Sequence, residues 1–323
     1  MISSSVAPIG PLPKANAVAP SVSVVVFVRN SAGTIERALA SVFEQGIPDL
    51  ELLVLDGGST DGTVDIIREH QDRIAFWRSA PDGGPTNAIN DGVERASGDV
   101  ICLLPGDDWL EPGALAPVLE KFAADPDLDV LSCGTRYVRI DAAGTMHVEQ
   151  KFLSPEELEF SMEKILAYPL TAGRFIRRRV YQRLGGQKVE FQFADYEFLV
   201  RVCLSGVKSA VLPRLTYTYR RHPQSTTFGN NPESILAMLR EGIRVTAKHA
   251  ANESISPENR RALLDRFERA SAHYAWRLLW RGELLIMWSV IVAAIRANPL
   301  WPFNAACLLL FGGRSRGSVS AGK

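Results

Sequence analysis

Apolar and polar positions follow two rhythms along this chain. Val22 to Val28 is a run of β-branched and apolar residues, and Ile35, Leu39, Val42 and Phe43 then recur at helical spacing, so a strand leads into a helix. Leu50 to Leu55 predicts the next strand. It ends in the turn-rich loop Asp56-Gly57-Gly58-Ser59-Thr60-Asp61-Gly62, before a helix over Thr63 to His70. Ile74 to Trp77, a helix from about Thr86 to Ala96, and the strand Val100 to Leu104 continue the alternation. Strands alternating with helices predict an α/β fold, a mostly parallel Rossmann-like sheet with helices on both faces. In such sheets ligands gather at the carboxyl ends of the strands, and the acidic loops after Leu55 and Leu104 both fall there.

Beyond Asp125 the rhythm changes. A strand from Val130, a hairpin through Asp141-Ala142-Ala143-Gly144, and mixed helix and strand to about Arg221 predict α+β additions that close over the site. From Pro232 the pattern is helical, with apolar runs Leu284 to Ile295 and Leu300 to Phe311 broken by Arg296, Asn298 and Pro299. Each run is too short for the ~20 residues that span a bilayer. They read as a pair of helices packed on the main domain or as an element lying on a membrane surface, and we take the former. The expected organisation is a disordered lead over 1–20, a main domain over 21–228, a helical region over 229–312 and a flexible tail over 313–323.

Composition narrows the function classes. Hydrophobic residues make up 46% and charged residues 22% of the 323, the mix of an ordinary globular protein. The 36 Lys and Arg balance 36 Asp and Glu, so no bulk positive field gathers nucleic acid and phosphate recognition must be local. Cys102, Cys133, Cys203 and Cys307 sit singly among apolar neighbours, with no zinc-like spacing, as expected of buried thiols in a reducing compartment. The first twenty residues lack the basic start and apolar stretch of a secretory signal. A cytoplasmic location follows as the expectation, with peripheral contact at the inner face of the plasma membrane if the C-terminal helices reach it.

Candidate chemistry concentrates in a few loops. Leu103-Leu104-Pro105-Gly106-Asp107-Asp108-Trp109 sets two adjacent carboxylates after an apolar strand, and such like charges repel unless a cation, hydrogen bonds or solvent offset them. Mn2+ or Mg2+ fits, because these ions take one or two protein carboxylates and complete their shell with water and phosphate oxygens. A turn whose Asp residues cap the following helix fits equally well. Asp56, at another strand end, is placed to accept from a base or ribose beside glycines that admit a ligand, whereas Asp61 precedes a helix and reads as its cap. Asp195 opens a helical segment ending at Gly206, as a general base or as a cap. Arg220, Arg221 and His222 lead into Pro223-Gln224-Ser225-Thr226-Thr227, a loop suited to a leaving diphosphate or simply to solvent.

In their order these pieces resemble family 2 glycosyltransferases of the GT-A fold, across about Val22 to Thr227. The resemblance rests on Asn30 after the first strand, the Asp56 to Thr63 loop, Asn90 and Gly92 before Ala96-Ser97-Gly98-Asp99, the Asp107-Asp108 pair, then Asp195 and the Arg221-His222 loop. Pro81-Asp82-Gly83-Gly84-Pro85-Thr86-Asn87-Ala88-Ile89-Asn90-Asp91-Gly92 is similar to a subset that builds bacterial surface polysaccharides of the colanic-acid type. That subset usually has Asp where this chain has Asn87, and many members have Asp where it has Pro105.

The resemblance implies a UDP-sugar or related nucleotide-sugar donor, and a saccharide or lipid-linked saccharide acceptor. Asp56 would contact base or ribose, Asp107 the ribose or diphosphate side, and Asp108 the metal. Asn30 and Asn87 would lie in donor-binding loops, Arg221 and His222 would face the departing diphosphate, and Asp195 would be the base of an inverting displacement. A dinucleotide oxidoreductase is disfavoured, since Arg29-Asn30-Ser31-Ala32-Gly33 stands where G-x-G-x-x-G is required. The first strand also lacks the glycine-rich basic loop of a nucleotidyltransferase. A catalytically silent nucleotide-sugar-binding subunit supporting a partner enzyme is the remaining alternative, because the same acidic residues would serve binding alone.

Overall fold

The computed structural model describes residues 20–223, 232–298 and 301–302. Two compact units divide at Ser225/Thr226. In the first, β1 (Val22–Val28) sits between β2 (Glu51–Asp56) and β4 (Val100–Pro105), paired in parallel with both, and β3 (Phe76–Ser79) extends the parallel set beyond β2. Burial on both faces explains why six of the seven β1 residues are buried, and why the strand reads as continuous apolar sequence. The edge strand β3 lies two residues later than its sequence pattern predicts. Helices α1 (Ile35–Phe43), α2 (Thr63–Glu69) and α3 (Pro85–Arg95) connect these strands.

The remaining strands make the sheet mixed. In chain order they are β5 (Trp109–Leu110), β6 (Val130–Ile140), β7 (Met146–Phe152), β8 (Arg174–Arg177) and β9 (Ser209–Arg221). The sheet runs β3-β2-β1-β4-β8-β6-β9-β5, with β7 paired to β6. β8 is antiparallel to β4, β6 antiparallel to β8, and β9 parallel to β6. The turn between β6 and β7 falls at the expected Asp141 to Gly144, where the Asp141 carboxylate accepts from the N–H groups of Ala143 and Thr145. α4 (Leu115–Ala124), the short α5 (Pro155–Leu158) and α6 (Met162–Ala167), α7 (Arg178–Leu184) and α8 (Ala194–Leu204) complete the unit.

The second unit contains α9 (Pro232–Ala250), α10 (Pro257–Trp280) and α11 (Leu284–Ala297). Its core joins Leu236, Tyr274, Ala275, Leu278 and Met287, one face from each helix. No helix among the described residues is long and apolar enough to cross a membrane. Of the expected Leu300 to Phe311 helix, all but Trp301 and Pro302 falls outside the described residues, as do the expected 1–20 lead up to residue 19 and the 313–323 tail.

Candidate functional site

The site grows from the carboxyl ends of β2 and β4. After β2, Asp56 is fully buried and its carboxylate accepts from the Gly58 N–H at 3.1 Å, the Ser59 N–H at 2.9 Å, the Ser59 hydroxyl, and the Ser79 hydroxyl at 2.6 Å. The chain is therefore coiled around its own acid. Asn30 locks the preceding loop to this one: its backbone N–H donates to the Ser59 hydroxyl and its Oδ1 accepts from the Thr60 N–H at 2.9 Å. Asn30 adopts φ of +51°, a left-handed conformation that Asn tolerates better than most residues. Asp61 accepts from the Thr63 N–H and hydroxyl at the start of α2, in keeping with its expected capping role, and also from the Ala32 N–H. Asn87, exposed on α3, donates to the Asp82 carbonyl at 2.8 Å and so pins the Pro81 to Gly84 loop.

After β4, Gly106 lets the turn lie against β1, since a Cβ there would stand 2.5 Å from Val28. The pair then splits. Asp108 turns inward, 1% exposed, with Oδ1 accepting from the Arg220 N–H at 2.8 Å and Oδ2 from the Tyr217 hydroxyl at 2.7 Å. Burial first, and the Asp107 charge second, push its carboxyl well above the usual range against those two hydrogen bonds. Asp107 turns outward with its side chain 32% exposed, and its Oδ2 lies 2.7 Å from His222 Nε2. β9 thus brings Tyr217, Arg220 and His222 to the acidic turn. Tyr217 was not singled out from sequence, and only the Thr216-Tyr217-Thr218-Tyr219 strand alternation marks it. Arg221 points instead toward β7, ion-paired with Glu149 at 2.9 Å.

Asp195 lies in the first turn of α8, the helix that precedes β9. Ser209, where β9 begins, is level with Val130, and through β8 with the start of β4. α8 ends at Leu204, with four residues between it and Ser209, and its eleven residues run about 16 Å back to the turn that carries Asp195. Asp195 is half-buried and accepts from the Tyr196 N–H, and burial raises its carboxyl above the usual range. A brace fixes the approach to it. The Asn90 amide accepts from the Gln187 N–H and donates to the Gln187 carbonyl, both at 2.8 Å, and Gly186 is needed beside it because a Cβ would meet Asn90 Oδ1 at 2.3 Å. Arg201 of α8, paired with the buried Glu197, donates to the carbonyls of Leu184 and Gly186. The segment before the candidate base is thus tied to α3 and to α8 itself.

A cage for a metal ion is not built from protein alone: among the described residues no three His, Cys, Asp or Glu side chains gather. What the acidic turn presents outward is a single carboxylate, Asp107, with the His222 imidazole beside it. Gln224 to Thr227 of the basic, hydroxyl-rich loop lie outside the described residues.

Comparison with known proteins gives this geometry a context. The model of "Glycosyl transferase family 2" matches residues 23–185, which take in both acidic loops and end before Asp195 and β9. Chondroitin synthase of Pasteurella multocida is 30% identical over 217 residues, 65% of this chain but 22% of that protein, so the chain spans about a fifth of the relative's length. S. aureus TarS 1-349 in complex with UDP-GlcNAc has a TM-score of 0.64 at 16% identity, over 94% of this chain and 95% of that one. Mannosyltransferase PcManGT of Pyrobaculum calidifontis, solved with GDP-Man and Mn2+, has a TM-score of 0.59 at 20% identity, over 94% and 83% of the two chains. These structures share the GT-A fold, confirming the expected α/β architecture.

Proposed function

The chain belongs to glycosyl transferase family 2, and from that premise we propose that it is an inverting enzyme moving a sugar from a UDP-sugar to an acceptor hydroxyl in the synthesis of a surface polysaccharide or lipid-linked saccharide. One observation carries the reading: the outward Asp107, the inward Asp108 and His222 converge at the end of β4. Asp195 takes the acceptor's proton as the acceptor oxygen bonds to the anomeric carbon. The bond from that carbon to the diphosphate oxygen breaks on the opposite face, and the nucleoside diphosphate leaves with the electron pair. The Asp56 loop, held by Asn30 and bordered by the segment that Asn87 pins, forms the floor for base and ribose.

The donor chemistry at the acidic turn fits Mn2+ or Mg2+. Asp107 is the ligand open to solvent, and Asp108 is the anchored one, since each of its oxygens keeps a lone pair beyond the bond described. When bound, such an ion offsets charge on the leaving diphosphate. His222, beside Asp107, is a further donor group toward the diphosphate, whereas Arg221 would have to leave its pair with Glu149 to reach it.

A screen of nucleotide-sugars for nucleotide release, with thermal stabilisation by UDP measured in parallel, tests the proposal. Release and stabilisation that need Mn2+ or Mg2+ and disappear in Asp107→Ala are expected. Equal stabilisation without metal, in both native protein and variant, removes the metal assignment. UDP binding with no release from any donor points to the silent subunit instead.

A further inference from the structure

The balanced charge of the whole chain conceals an asymmetry. From Thr226 onward thirteen Lys and Arg stand against seven Asp and Glu, while residues 1–225 carry twenty-three against twenty-nine. The positive half also holds most of the exposed apolar surface. Of fifteen large apolar side chains exposed among the described residues, nine lie between Trp276 and Ile295.

The two features meet on the same elements. On α10, Arg266, Arg269, His273, Trp276 and Trp280 follow one another at spacings of three and four, with Arg277 four residues after His273, which sets all six on one helical face. The opposite face, with Leu263, Phe267, Tyr274 and Leu278, is buried. Between Arg266 and Trp280 the only acid is Glu268, which is buried, its carboxylate accepting from the Asn298 amide and its backbone carbonyl from the Trp301 indole. Partial burial, and after it the charges of Arg266, Arg277 and Arg269, hold His273 below the usual imidazole range, so these guanidinium groups act on one spot. Gly282, at φ of +74°, turns the chain into α11, whose Leu285, Trp288 and Val292 are 88%, 58% and 43% exposed. Arg281 is excluded from this set because Glu233 and Glu283 neutralise it.

Tryptophans and leucines on helices that also carry rows of arginine match a membrane interface, where indoles sit at headgroup depth and guanidinium groups meet anionic phosphates. An ordinary protein partner would call for apolar contact without this excess of positive charge. We propose that the α10–α11 hairpin lies on an anionic lipid surface, with Trp276, Trp280, Leu285 and Trp288 entering the headgroup region and Arg266, Arg269 and Arg277 meeting lipid phosphates. The helices rest on the bilayer and do not cross it, since neither is both long and apolar enough to span it. This proposal is independent of the transfer chemistry.

Co-sedimentation of the full chain with vesicles of phosphatidylcholine, with and without phosphatidylglycerol, tests it. Binding is expected to need phosphatidylglycerol and to weaken as salt rises. Each basic side chain near such a surface contributes roughly fivefold in partition, so Arg269→Glu with Arg277→Glu is expected to lower it by about 25-fold or more. Trp280→Ala with Trp288→Ala, at exposed positions that leave the core intact, is expected to reduce binding while the circular dichroism spectrum and UDP stabilisation stay unchanged. Equal binding to neutral vesicles overturns the charge argument. Absence of vesicle binding overturns the proposal, and a dimer in sedimentation that dissociates in the Trp variants would assign the face to a second copy of the chain.

Discussion

The loops after β2 and β4 present the same residue type at the same edge of one sheet, yet they hold it in opposite ways. Asp56 gathers four donors, three of them within three residues, so its charge is balanced by its own loop. Asp108 has two, from Tyr217 and Arg220, which stand 109 and 112 positions further along the chain. A buried carboxylate ringed by donors stabilises its surroundings, whereas one with few donors and a charged neighbour is held against a desolvation cost. The first arrangement belongs to architecture. The second leaves charge that a cation or a ligand can complete.

That contrast can be broken or sharpened by experiment, beginning with a third carboxylate that shares Asp108's poverty of donors. Asp195→Asn is expected to lower kcat by roughly 10²–10⁴-fold, the usual contribution of a general base. The sign in pH follows from the raised carboxyl: the base is ionised only above its elevated pKa, so kcat/KM of the native protein should fall on acidification earlier than an ordinary carboxylate would dictate. The folded state also holds this proton more tightly than the unfolded chain, so the ionised group destabilises at neutral pH and its replacement by Asn should not lower the urea midpoint. An unchanged rate in the variant assigns the proton to another group.

Asp56→Asn turns an amide N–H toward donors and is expected to cost about 2–3 kcal/mol in urea unfolding. Asp108→Asn relieves a buried charge and its repulsion with Asp107, and is expected to raise stability by about 1 kcal/mol while abolishing metal-dependent UDP stabilisation. Shifts of the same sign in these two variants would refute the comparison. Ser79→Ala, which removes one of the four donors to Asp56, should cost about 0.5–1.5 kcal/mol in the same measurement.

The parallel strands and both acidic loops were legible in the sequence because β1, β2 and β4 are covered on both faces and read as apolar runs. β3 was placed two residues early, since at the sheet edge it mixes Phe76 and Trp77 with Arg78 and Ser79 and its pattern is weak. The contact of Asp61 with the start of α2 was readable for the same reason that makes Asp56 self-sufficient: Thr63 is two residues away. The inward turn of Asp108, its hydroxyl donor Tyr217 and the Asn90 to Gln187 brace were not readable, because no local pattern encodes a contact made about 100 residues away. The helical rhythm after Pro232 was clear. The sorting of arginine and tryptophan onto one face of α10 emerges only once its buried side is known.

Residue order has a consequence for biosynthesis. A ribosome releases the acidic turn early, but both donors to the Asp108 carboxylate come from the last strand of the first unit, so a nascent or truncated chain ending before Tyr217 carries an Asp107-Asp108 turn whose inward carboxylate lacks them. Affinity for the donor should therefore emerge late in translation, after most of the first unit has already folded.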